Sequence, residues 1–161
     1  GMLRSAAMAG NDEEVILAAT AVLTDAKVAP ELENEARYYR AQSLVKVNQM
    51  AHAVADWQSL AQDTRNAYGA EAKYRLAQYL FDAGKTAEAE KEVLNYLEVS
   101  TPHAYWLARS FVLLSDIYAK LDRKLEARQY LLSLKQNYQA ADDISGMIES
   151  RLEKLSEENK Q

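Results

Sequence analysis

The side chains able to make or break bonds are sparse and poorly spaced for it. His52 and His103 are the two histidines. Neither has a second histidine three to five residues away, the spacing that sets two imidazoles on one helix face around a metal. Both read as surface or packing residues. Cysteine is absent, which removes disulfides, thiolate metal sites and thiol nucleophiles together. No glycine-rich phosphate loop, nucleophile elbow or EF-hand loop occurs. The neighbouring acids Asp142 and Asp143 have the composition of an acid–base pair, but they stand just before an apolar stripe. There, carboxylates cap a helix and meet the positive end of its dipole. The expectation is a chain with no catalytic residue, no metal and no cofactor. What remains is recognition by tyrosine hydroxyls, amides and charges, and ten tyrosines are plentiful, an aromatic content that serves both cores and binding surfaces.

Those groups need a frame to position them. With 161 residues, 48% hydrophobic and 27% charged, the chain can bury a core as one domain or one continuous array. Five glycines and two prolines supply too few turns for an all-β fold. The net charge of −5 repels phosphate backbones and anionic lipid, so nucleic acid is not an expected partner. The longest uncharged apolar run, residues 15–24, is about half the roughly 20 residues of a membrane span, so no membrane insertion is expected. Gly1 before Met2 reads as the remnant of a removed tag, and targeting is not legible at this end.

The frame is a repeat. Shifting the sequence by 36 aligns 35–53 with 71–89, with identities at Glu35/Glu71, Ala36/Ala72, Tyr38/Tyr74, Ala41/Ala77, Gln42/Gln78, Leu44/Leu80, Ala51/Ala87 and Ala53/Ala89. These eight matches in nineteen positions exceed the roughly one or two that average composition would give. A third copy follows 38 residues on. Counting from Ala53, Ala89 and Ala127, small residues stand twelve earlier (Ala41, Ala77, Ser115) and large ones nine earlier (Leu44, Leu80, Tyr118). Asn48, Gly84 and Asp122 stand five earlier, types that tolerate a left-handed turn. Trp57 with Leu60, Val93 with Tyr96, and Leu131 with Leu134 come four and seven later. Each copy reads as helix, tight turn, helix. Small residues let two helices approach, large ones fill the grooves beside them, and stacking buries the faces that one hairpin leaves open.

Phe111, Leu114, Ser115 and Tyr118 in a first helix, and Ala53/Trp57, Ala89/Val93 and Ala127/Leu131 in second helices, resemble the tetratricopeptide repeat family over about 31–138. The resemblance implies an all-α, right-handed solenoid of stacked antiparallel helical hairpins with about nine helices. The spacings of 36 and 38 exceed the family's usual 34, and Arg40 stands where the family has leucine. Another α-hairpin solenoid with a period near 40 is the alternative. Pro30 and Pro102 read as first-turn prolines of first helices, with Thr101 as an N-cap.

The expected units are 2–29, 30–66, 67–100 and 101–138. The first is cut short. Gly10, Asn11 and Asp12 form a turn and cap before a second helix at 13–23, with Val15 in the marker position, and only 2–9 remain for the helix before it. This hairpin reads as the end of a longer array. At the far end, Ile144, Ile148, Leu152 and Leu155 form one face of a helix at about 142–157, opposite Glu149, Glu153 and Lys154. It reads as a cap over the last hairpin, fraying from Ser156 onward.

Tyr96 and Tyr118 hold packing positions, and Trp106 fits either packing or a groove. Three residues before, one after and five after the small marker fall off the core stripe of each first helix. These positions hold Tyr38, Gln42 and Lys46, then Tyr74, Gln78 and Asp82, then Val112, Asp116 and Lys120. The recurring Tyr–Gln pair would offer flat aromatic surfaces with amides able to bond a peptide backbone. The family's carboxylate-clamp variant has lysine and asparagine where this chain has the tyrosines and glutamines, so capture of an acidic C-terminus is not implied. The function expected is a protein–protein interaction scaffold that binds a peptide or protein partner through a concave groove. The alternative is a structural or regulatory segment of a larger enzyme or assembly. The resemblance around 101–118 to bacterial cell-envelope tetratricopeptide proteins implies placement at the envelope.

Overall fold

The computed structural model describes residues 1–159, all-helical with no strand among them. In chain order the helices are α1 (Met2–Ala9), α2 (Asp12–Thr24), α3 (Pro30–Lys46), α4 (Met50–Leu60), α5 (Ala67–Asp82), α6 (Thr86–Glu98), α7 (Ala104–Lys120), α8 (Lys124–Asn137) and α9 (Ile144–Asn159). The chain divides within α5 into two compact units, Gly1–Leu76 and Ala77 onward.

Four turns share one construction. Gly10, Asn48, Gly84 and Asp122 have φ of 71°, 61°, 80° and 60°, the left-handed conformation that ends helices. At each turn, the N–H of that residue donates to the carbonyl three back, and the next N–H donates to the carbonyl five back. The acceptors are Ala7 and Ala6, Val45 and Leu44, Phe81 and Leu80, and Ala119 and Tyr118. These paired bonds satisfy carbonyls that the helix end leaves open. The next helix starts two residues later each time. The first turn comes 38 residues before the second, as 48 minus 10, so the short N-terminal pair α1–α2 has the backbone register of the later copies. Buried residues follow that register: Val15, Ala53, Ala89 and Ala127 lie five after the turn residue, and Leu3, Ala41, Ala77 and Ser115 lie seven before it.

In the first unit, α1 packs on α2, α2 on α3 and α3 on α4. Leu3, Ala6, Val15, Ala19 and Ala36 form its upper core, with small residues where α2 and α3 approach. Pro30 opens α3 at its first turn, where its missing N–H costs nothing. Arg40, out of place for a helix stripe, has a partner. Its Nε and Nη2 donate to Asp56 Oδ2 and Oδ1 of α4 at 2.8 and 2.6 Å. The hairpin thus holds a bidentate ion pair where the copy 36 residues on has Leu76 and Glu92. Gly69 sits where an added Cβ would come within 1.9 Å of the Asp63 carbonyl oxygen, so only glycine fits the start of α5 against this segment.

In the second unit, α7 is the central element. It packs with α6, α8 and α9 and buries Ala108, Ser110, Val112, Leu113, Leu114, Ser115, Ile117 and Tyr118. Tyr96 is also buried. Ile144, Ile148 and Leu155 bury the inner stripe of α9. Asp142 accepts from the Ile144 N–H at 2.9 Å, so the acidic pair does start this helix. Tyr138 Oη donates to Asp142 and Tyr105 Oη to Asp143, at 2.5 and 2.9 Å. Two boundary expectations are corrected. Pro102 lies outside α7, because Thr101 Oγ1 accepts from the His103 N–H at 3.1 Å and closes a turn that delays the helix to Ala104. The fraying expected from Ser156 gives way to helix through Asn159, anchored by buried Leu155; residues 160–161 lie outside the described residues.

Candidate functional site

The expected binding row divides into two dissimilar places. On α3, Gln42 Nε2 donates to Tyr38 Oη at 2.8 Å, and Tyr38 Oη donates to Glu71 Oε1 of α5 at 3.0 Å. The Tyr38 ring stacks on Tyr68 with centroids 4.3 Å apart and meets Tyr39 edge-on at 5.5 Å. Arg75 Nε donates to the other Glu71 oxygen at 3.2 Å. Burial first, then the Glu71 carboxylate, pushes the Tyr38 hydroxyl well above the ordinary phenol range. That proton stays on tyrosine and is committed to Glu71. The Tyr–Gln pair therefore ties α3 to α5, and Lys46 is the exposed member of this group.

Tyr74 overturns the expectation of a repeated exposed pair, being 4% exposed. The cause is the depth of α5, which buries Ala70, Ala72, Tyr74, Leu76 and Ala77 in close succession. Val112 is buried for the same reason on α7. One turn beyond Tyr74, Gln78 Nε2 donates to Asp82 Oδ1 at 2.8 Å along the same helix.

The last two expected residues come together at a hollow. Asp116 and Lys120 line a cavity of about 510 Å³ with Phe81, Ser115 and Ala119 and, from α9, Ser150, Arg151, Lys154 and Leu155. Its size falls within the roughly 300–1,000 Å³ of ligand sites. Arg151 Nε and Nη2 donate to Asp116 Oδ1 and Oδ2 at 2.7 and 3.0 Å. Its Nη1 donates to the Met147 carbonyl at 3.3 Å. This clamp holds α9 against α7 and fixes one wall. Lys120 and Lys154 are exposed, and neither has an ion-pair partner among the described residues. Three cations against one carboxylate, 3 − 1, give the lining a formal +2 in a chain of net −5.

Sequence reasoning missed Phe81 and the α9 contribution. Arg151 did leave a signal, since it stands three after Ile148 and four before Leu155. A charge inside an apolar stripe needs a partner. Lys154, by contrast, looks like any solvated residue on an outer face.

Arg109 Nη1 donates to Tyr105 Oη at 3.0 Å, and Trp106, half-buried, meets Tyr105 edge-on at 4.9 Å. No group of three or more His, Asp or Glu among the described residues is placed to hold a metal, and no helix there is long and apolar enough to cross a membrane. Neither family models nor curated proteins nor solved structures match this chain.

Proposed function

We propose that this chain is a protein–protein interaction module of the tetratricopeptide kind, a solenoid of helical hairpins that binds a peptide segment of a partner and does no catalysis. The cavity between the end of α5, α7 and α9 carries this reading, with Asp116, Lys120, Arg151 and Lys154 around an apolar floor. Its mixture of apolar wall and a few fixed polar groups is that of a recognition site. The repeated turn geometry at residues 10, 48, 84 and 122 supports the repeat assignment.

The test is selection from a peptide display library, followed by binding to protein carrying Ala119→Phe. Ala119 lines the cavity, so the larger ring fills it. Selected peptides that lose affinity for this variant at unchanged Tm support the reading; peptides that bind it as before contradict it.

A second reading rests on a different observation. Met2, Met8 and Leu17 are 82%, 90% and 71% exposed, and α2 is apolar around most of its circumference. Such a helix is suited to a covered position, which favours a segment that packs within a larger assembly.

A further inference from the structure

The cavity of the second unit carries a charge of opposite sign to the chain around it. Arg151 uses Nε, Nη1 and Nη2 on Asp116 and on the Met147 carbonyl, so its main directional donors are spent on the wall. Lys120 ends α7, and Lys154 projects from α9 into the same lining. Two ammonium groups from two helices therefore flank a floor of Phe81, Ala119 and Leu155. Ammonium groups are compact, rotatable donors that suit carboxylates arriving along an extended chain. The apolar floor suits the side chain between them.

We infer that this cavity binds an acidic peptide segment in which carboxylate residues alternate with an apolar one. This rests on the reading of the cavity as a partner site and names the chemistry of the partner. The acids engage Lys120 and Lys154, and the apolar side chain seats against Phe81, Ala119 and Leu155. Charge complementarity selects this occupant. The net charge of −5 repels long polyanions beyond the cavity, whereas a short segment meets the local positive field first. Screening weakens such exposed attractions, so binding falls as salt rises.

The test uses fluorescence anisotropy with a labelled peptide of alternating Glu and Leu, a Gln/Leu analogue and an oligothymidylate. The proteins are wild type, Lys120→Glu/Lys154→Glu and Ala119→Phe. Both lysines are exposed, and circular dichroism is used to check that each variant is folded. The expected result is saturable binding of the Glu/Leu peptide, at least about tenfold weaker with the double charge reversal, with the Gln/Leu analogue and at high salt. Equal affinity of the two peptides for wild type, or of the Glu/Leu peptide for the reversed variant, overturns the inference. So does preferential binding of the oligothymidylate, which would make this a phosphate site. If the Gln/Leu peptide binds as tightly as the acidic one and Ala119→Phe abolishes both, the acidic specificity falls and the cavity reading stands. If neither peptide binds wild type, the inference fails, while display-selected peptides blocked by Ala119→Phe would still support the cavity reading.

Discussion

Among the described residues, two arginine–aspartate forks hold helices together, at different depths. In the first unit Arg40 grips Asp56, whose side chain is 2% exposed. In the second unit Arg151 grips Asp116, and both side chains remain about one-third exposed. The bonding is alike, yet the surroundings assign different work. A carboxylate removed from water depends on its arginine, so the first fork fixes a hairpin. The second faces water on one side and doubles as the wall of a cavity. Depth, more than residue type, separates a structural pair from a candidate site.

The sharpest way to break that contrast is to remove one arm of the buried fork. Arg40→Ala leaves the Asp56 carboxylate buried without its main partner and should destabilise by about 3–5 kcal/mol, measured by urea unfolding. A loss below about 1 kcal/mol would place Asp56 in effective contact with water. Overpacking a small marker comes next. Ala127 is fully buried, and Ala127→Leu should cost about 1–3 kcal/mol by the same measurement. The exposed fork should matter less to folding: Asp116→Asn is expected to cost about 1 kcal/mol or less, while making the cavity more positive and strengthening acidic-peptide binding.

The tyrosines give a comparison by pH. Burial and then Glu71 raise Tyr38; burial and then the bond to Glu90 raise Tyr118. Below the unfolded value near 10, both states keep these protons and full stability is present. As pH climbs past that value the unfolded chain ionises first, so stability falls toward the higher folded values. Tyrosinate absorbance should therefore show a late-titrating subset whose ionisation coincides with loss of helical circular dichroism. Uniform titration near pH 10 in the folded protein would contradict it.

Much of the frame is legible in the sequence because backbone geometry and volume constrain it. Asn48, Gly84 and Asp122 were identifiable as turn residues since few types accept a positive φ, and Ala53, Ala89 and Ala127 since small volume at a fixed spacing marks helix contacts. The site was less legible. Tyr38 and Tyr74 are identical in the repeat alignment but differ in burial, because exposure is set by tertiary surroundings that a one-helix alignment does not carry. Asp116 and Lys120 lie one turn apart on α7 and line one cavity. Their cavity still depends on Arg151 and Lys154 from α9, a helix outside the repeat, so no periodicity could connect them.

Chemical-shift mapping of the isotope-labelled protein, titrated with a display-selected peptide, tests the central proposal most directly. Shifts are expected to concentrate at Phe81, Ala119, Lys120, Ser150 and Lys154, saturating with peptide. Shifts concentrated instead around Tyr38 and Gln42, or along Met2, Met8 and Leu17, with those five amides unmoved, would contradict it.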